Sequence, residues 1–150
     1  MFDDLISAAS STWGVPIPWI QAVIKTESNW NPDATGGIGE KGLMQISPAT
    51  AALYGWDFAQ MYDPEANIEA GTELLHDLRE SYGEDFGRVY SAYNSGNPDA
   101  WETNAQVAAN VTRAMDALAD YTTPNGGIST ASMGGIVILV LLGWFFFRRG

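Results

Sequence analysis

At 150 residues, with 18 acidic against 7 basic side chains, the chain carries a net charge of −11, and two of its arginines, Arg148 and Arg149, stand at its extreme C-terminus. So acidic a body has no basic stripe to follow a phosphate backbone, which excludes nucleic acid as a main partner and favours a neutral ligand rich in hydroxyls or amides. The lack of cysteine excludes disulfides, thiolate nucleophiles and cysteine zinc sites, and one histidine, His76, argues against a histidine metal site or a Ser-His-Asp triad, so neither metal nor cofactor is expected.

The segment 1–10 carries acids where a secretory leader would carry lysine or arginine, so an ordinary cleaved leader is not expected. Phe2, Leu5, Ile6 and Ala9 fall at helical spacing, and Gly14 before Pro16 is a stop signal. Pro18 suits the first turn of a second helix, along which Ile20, Val23, Ile24 and Glu27 recur at i, i+3, i+4 and i+7 as one stripe. Residues 32–46, full of glycine, lack helical pattern and are expected as a loop or short strands. Ser47 and Pro48 open a short helix that Gly55 closes. Asp63 and Pro64 open a longer one with Ile68, Gly71, Leu75, Leu78 and Tyr82 along one side. Two more helices are expected around 86–94 and 101–121, and the acids of "YGEDFG" (82–87) are expected in a solvated loop.

After Tyr121 the composition changes. Residues 122–135, "TTPNGGISTASMGG", are rich in Gly, Ser and Thr and read as a flexible linker. Residues 136–147, "IVILVLLGWFFF", are uncharged and end against the two arginines. Counted from Ile128 the uncharged run is 20 residues, which as helix spans about 30 Å, roughly a bilayer core. A buried core helix competes with this reading, because the strictly apolar part is only 12 residues. Trp144 as an interface anchor and the arginines as a stop favour a transmembrane helix with its C-terminus on the cytoplasmic side. The expected organisation is therefore a helical domain over 1–121, a linker over 122–135 and the core of a C-terminal transmembrane helix over 136–147, with a span starting as early as 128.

Glu27 is the last member of the stripe on the second helix. A carboxyl on a buried face loses hydration, which raises its pKa toward the range where it donates a proton near neutrality. A frayed helix end that turns the same side chain to solvent is equally compatible with the stripe.

Four blocks in order, "ESNWNPDA" (27–34), "GLMQISPATA" (42–51), "DPEANIEAGTELL" (63–75) and "AYNSG" (92–96), resemble the lysozyme-like lytic transglycosylases, the soluble lytic transglycosylase family related to goose-type lysozyme. The resemblance covers about residues 12–116. It implies a mainly α, lysozyme-like helical domain with a small irregular or β lobe, and a cleft that cuts the β-1,4 bond between N-acetylmuramic acid and N-acetylglucosamine in peptidoglycan. By the same resemblance Glu27 is the catalytic acid and then base, and Gln45 is a cleft glutamine. Leu43 and Met44 match the apolar residues of the second block, with Met44 expected in the cleft wall. Tyr93 and Asn94 match the pair close to the glutamate, the tyrosine orienting acid or substrate and the asparagine supporting substrate or the local fold.

One acid suffices for such chemistry when the substrate assists. Most glycosidases need two carboxylates, but in substrate-assisted cleavage the 2-acetamido group replaces the nucleophile. The same glutamate then takes the proton of the muramyl 6-hydroxyl, closing a 1,6-anhydro ring without water. This chain departs from the family at three places. Gly36 stands where the family commonly has a serine close to the acetamido group, "GEKGLMQ" brings in Glu40 and Lys41, and Asn110-Val111 replaces a usual tyrosine-valine. Glu40 keeps open a hydrolytic route in which a second carboxylate activates water. His76 is expected as a satisfied or surface histidine and not a catalytic one, and Trp30 either walls the pocket or packs in the core.

The function expected from this combination is a membrane-tethered peptidoglycan lytic transglycosylase, with a hydrolytic muramidase and a non-catalytic peptidoglycan-binding module as alternatives. Its expected partners are glycan strands, the membrane through the C-terminal helix, and other virion or envelope proteins. The architecture suits a bacteriophage virion membrane, where the enzyme would open the wall locally, and an ordinary bacterial envelope is the alternative location.

Overall fold

A computed structural model describes residues 2–123. Six α-helices form: α1 (Asp3–Trp13), α2 (Ile17–Ser28), α3 (Pro48–Tyr54), α4 (Pro64–Tyr82), α5 (Phe86–Ser95) and α6 (Ala105–Thr122), with single 3-10 turns at Phe58–Gln60 and Ala100–Glu102. Their ends follow the punctuation of the sequence. Gly14 and Gly55 cap α1 and α3 in left-handed conformation at φ 69° and 75°, where a side chain would be strained. Ser47 accepts from the Thr50 amide, and Asp63 from that of Ala66, each satisfying a free N–H of a first turn. Asp85, read as a loop acid, caps α5 through the Arg88 amide, while its neighbour Glu84 pairs with Arg79 at 2.7 Å.

The packing runs α1 on α2, α2 on α6, α6 on α5, α5 on α4 and α4 back on α1, which closes a circuit of five helices. Its interior holds Ile6, Ile20, Ile24, Ile68, Leu75, Val89 and Tyr90, all but shut off from solvent. Burying a side chain of this size stabilises the fold by about 1.5–3 kcal/mol each, against the entropy of ordering the chain.

The lobe between α2 and α3 is irregular. Isolated antiparallel bridges join Thr35 to Lys41 and Lys41 to Ile46, and no extended strand forms among the described residues. Of the two expectations for 32–46, loop or short strands, the loop holds. Asn29, Trp30 and Gln45 adopt positive φ, as do Gly39 and Gly42, and such turns interrupt any ladder. Two anchors hold the loop in place: Leu43, Met44 and Ile46 are buried in the core, and Asn67 of α4 ties down its backbone. The Asn67 amide accepts from the Met44 N–H at 2.7 Å and donates to the Lys41 and Met61 carbonyls at 2.8 Å each.

Among the described residues no helix is long and apolar enough to cross a membrane. The expected linker from 124 onward and the apolar segment 136–147 lie outside them.

Candidate active site

The last turn of α2 presents Glu27 to the floor of a cleft of about 390 Å³. Gly36, Ile38 and Glu40 of the irregular loop line one wall with Gln45, and Ser47 and Thr50 at the start of α3 continue it. Leu74 of α4 and Tyr93 and Asn94 of α5 complete the enclosure. Ile20, Val23 and Ile24, the preceding members of the stripe, are wholly buried, so the helix face that dives into the core carries Glu27 with it. Directly after Glu27 and Ser28, Asn29 and Trp30 take φ of 50° and 68° and turn the chain into the loop. The frayed-end alternative for Glu27 therefore fails.

Glu27 is held by a residue that the sequence reading did not single out. Tyr90 donates its hydroxyl to Glu27 Oε1 at 2.6 Å. A signal for it exists in the sequence: Tyr90 and Tyr93 are three apart on one face of α5, and a buried tyrosine needs a partner for its hydroxyl. The two rings stack at 6.2 Å and 10° between planes, and Phe86 and Trp19 extend the aromatic column behind them. Tyr93 is the tyrosine expected to orient acid or substrate. It lines the cleft, and its hydroxyl donates to the Met44 carbonyl at 2.7 Å, which fixes the loop against α5 and leaves the acid contact to Tyr90.

The other expected residues divide. Gln45 does line the cleft: its Nε2 donates to the Ala34 and Gly42 carbonyls at 3.1 and 2.9 Å, so its carbonyl oxygen is the end left over for a ligand. Asn94 lines the cleft too, and its Oδ1 accepts from Asn110, which in turn accepts from Arg113. Asn110 is one of the departures from the family pattern, and it serves the cleft edge through this contact. Met44 corrects its expectation. Its side chain is wholly buried and presses on the bare backbone of Gly71. Leu43 is likewise core. Trp30 settles as packing: it stacks on Phe2 and donates to the Tyr121 hydroxyl, away from the cleft residues. His76 lies against the Trp13 ring and does not line the cleft.

Electrostatics set the state of the acid. Burial pushes the Glu27 carboxyl above its ordinary value, the Tyr90 hydrogen bond and the Arg113 charge pull it down, and repulsion from Glu40 pushes it up again, with burial prevailing. Tyr90 and Tyr93 are both pushed up, first by burial and then by the nearby Glu27 charge, so each hydroxyl serves as a donor and not as a base. The arrangement is a protonatable carboxyl, oriented at one oxygen and open at the other, facing a polar cleft. Such a group can give a proton to a leaving oxygen and later take one back.

Comparison with known proteins decides what the geometry belongs to. The family model described as the transglycosylase SLT domain matches residues 4–115. The chain belongs to this family. Its SLT domain thus spans α1 to most of α6 and contains every residue of the cleft. Among relatives, the chain is 33% identical over 135 residues to the transglycosylase of Enterobacteria phage PRD1, covering 86% of this chain and 50% of that one. It is 34% identical over 105 residues to the soluble lytic murein transglycosylase of Escherichia coli strain K12, covering 63% of this chain and 16% of that one. The structure of the 70 kDa soluble lytic transglycosylase of Escherichia coli superposes with a TM-score of 0.59 at 27% identity, covering 77% of this chain and 19% of that one. The chain therefore spans half the length of the phage relative and less of the others.

Proposed function

We propose that the chain is a peptidoglycan lytic transglycosylase that cleaves the β-1,4 bond between N-acetylmuramic acid and N-acetylglucosamine and releases a 1,6-anhydro-muramyl end. The observation that carries this reading is Glu27, oriented by Tyr90 at one oxygen and raised in pKa by burial, on the floor of a polar cleft. Glu27 protonates the glycosidic oxygen, the muramyl acetamido carbonyl closes on C1 as the bond breaks, and the resulting carboxylate then takes the proton of the 6-hydroxyl as that oxygen displaces the acetamido group. No water enters the balance. Gln45 and Asn94 take hydrogen bonds from sugar and acetamido groups, and Tyr93 holds the wall they stand on.

The test is mass analysis of the muropeptides released from purified peptidoglycan by the full chain. Products short of one water support the transglycosylase, whereas reducing-end products would replace it with a muramidase. The muramidase is a specific rival because Glu40 does stand in the cleft. Wild type that binds peptidoglycan but releases no muropeptides would leave only a binding module, and a Glu27→Gln variant that cleaves like wild type would remove Glu27 from the chemistry.

The tethering follows from the tail: the apolar run 136–147 with Trp144 and the terminal arginines anchors the domain to a membrane by its C-terminus. Similarity to a phage transglycosylase supports a virion membrane as that location, where local opening of the wall serves penetration of the host. Detection of the protein in host membranes alone, and never in purified particles, would contradict it.

A further inference from the structure

The structure resolves Gly36 and Glu40 into one device. The Glu40 carboxylate folds back over the loop, where its Oε2 accepts from the Ile38 N–H at 3.1 Å and lies against the α-carbon of Gly36. Any β-carbon at position 36 would collide with this oxygen and with Gln45 Oε1. Gly36 is not in the left-handed region, so its lack of a side chain serves space and not backbone conformation. The result is a wall that offers two acceptors side by side, the carboxylate and the amide oxygen. Neither can donate, since a carboxylate accepts only and the Gln45 Nε2 is committed to the backbone.

The charge on that wall is uncompensated. Lys41, the adjacent cation, turns away: it donates to the Phe58 carbonyl and sits over the Phe58 and Tyr62 rings at 4.2 and 4.9 Å. Among the described residues no lysine or arginine pairs with Glu40. The wall is thus built for a ligand group that donates and that carries positive charge at some stage.

We propose that Glu40 is a second catalytic carboxylate, which accepts the acetamido N–H of the muramyl residue and stabilises the oxazolinium ion formed when the glycosidic bond breaks. This rests on the transglycosylase reading above. In the first step the Glu27 proton passes to the glycosidic oxygen, the C1–O bond breaks, and a lone pair of the acetamido oxygen forms the new bond to C1. The positive charge so created is shared between that oxygen and the nitrogen, and the N–H directed at Glu40 becomes a stronger donor. In the second step the 6-oxygen attacks C1, its proton goes to Glu27, and the electron pair of the C1–O bond returns to the acetamido group. Glu40 transfers no proton in either step; it acts on charge that develops only after the ground state, which is where electrostatic stabilisation accelerates a reaction. Its repulsion of Glu27 also favours the division that the mechanism needs, one carboxyl protonated and one charged.

The experiment compares the full chain with E40Q, which keeps the acceptor for the Ile38 N–H and so the loop, as a matched thermal melt would verify. On purified peptidoglycan, E40Q should lose about 100-fold in kcat with little change in KM and still form the 1,6-anhydro product. N-acetylglucosamine-thiazoline, a stable mimic of the oxazolinium, should bind E40Q about 100-fold more weakly than wild type. Wild-type kcat and unchanged thiazoline affinity in E40Q would overturn the assignment. So would reducing-end products from wild type that vanish in E40Q, since they would make Glu40 a base for water. Should wild type form no anhydro product at all, the transglycosylase reading fails by itself, and the thiazoline affinities still report whether Glu40 meets the acetamido group.

Discussion

Tyr90 on α5 and Glu27 on α2 are joined at 2.6 Å although 63 residues separate them in the chain. The bond does two things at once. It selects Oε1 as the acceptor, which leaves Oε2 free of that bond to carry the acid proton, and it offsets part of the desolvation that burial imposes on the carboxylate. Tyr90 is itself kept in place by stacking on Tyr93, whose hydroxyl ties the loop that carries Gln45. The acid and the opposite wall of the cleft are therefore positioned by one helix face.

Two substitutions beside Glu27 should move its titration in opposite directions. Tyr90→Phe removes a contact that lowers the pKa, so the alkaline limb of the pH–rate profile, which reports loss of the acid proton, should shift to higher pH. Glu40→Gln removes a repulsion that raises it, and the same limb should shift to lower pH. Turbidity loss of peptidoglycan suspensions across pH measures both. Tyr90→Phe should also cost about 1 kcal/mol in urea unfolding.

Glu27→Gln should abolish cleavage and yet stabilise the fold at neutral pH. The unfolded carboxyl titrates near 4.5, and the folded one higher. Between these values the folded state binds more protons than the unfolded, so wild-type stability falls as pH rises through the window, by about 1.4 kcal/mol for each unit of elevation. Glutamine does not titrate. Its advantage in thermal melts should be present at pH 7 and vanish below 4.5; an advantage that grows on acidification would contradict the sign.

Asn67→Ala should cost about 3 kcal/mol, because it strands the Met44 N–H and the Met61 carbonyl beside the core and leaves the Lys41 carbonyl with the Ile46 N–H as its remaining donor. Activity should fall further than stability predicts, since residues 41–46 carry Gln45. Urea unfolding and turbidity assays of the same preparation separate the two effects.

At Gly71 two effects of similar size compete. Alanine within α4 would gain about 1 kcal/mol of helix propensity, but its methyl would lie 2.5 Å from the Met44 sulfur and 2.8 Å from two of its carbons. Overpacking costs about 1–3 kcal/mol. Gly71→Ala should therefore lower the melting temperature, and a rise would show that Met44 repacks freely.

Much of this was legible in one dimension. Ser47, Asp63, Gly14 and Gly55 act within a few residues of themselves, so caps and stops could be read locally, and the helical period of Ile20, Val23, Ile24 and Glu27 marked the face that enters the core. The four blocks pointed to the family and to the cleft residues Glu27, Gln45, Tyr93 and Asn94. Tertiary structure alone decided that Tyr90 and not Tyr93 meets the acid, because the two differ by less than one helical turn and only the placement of α5 in the circuit of helices tells them apart. It placed Met44 in the core, where its side chain lies against Gly71 of α4, 27 residues further along the chain. It also brought Glu40 against Gly36, a contact made by a side chain folding back over its own loop. Periodicity reports which face an element buries; which two side chains meet depends on helix crossings and loop turns whose cause lies elsewhere in the chain.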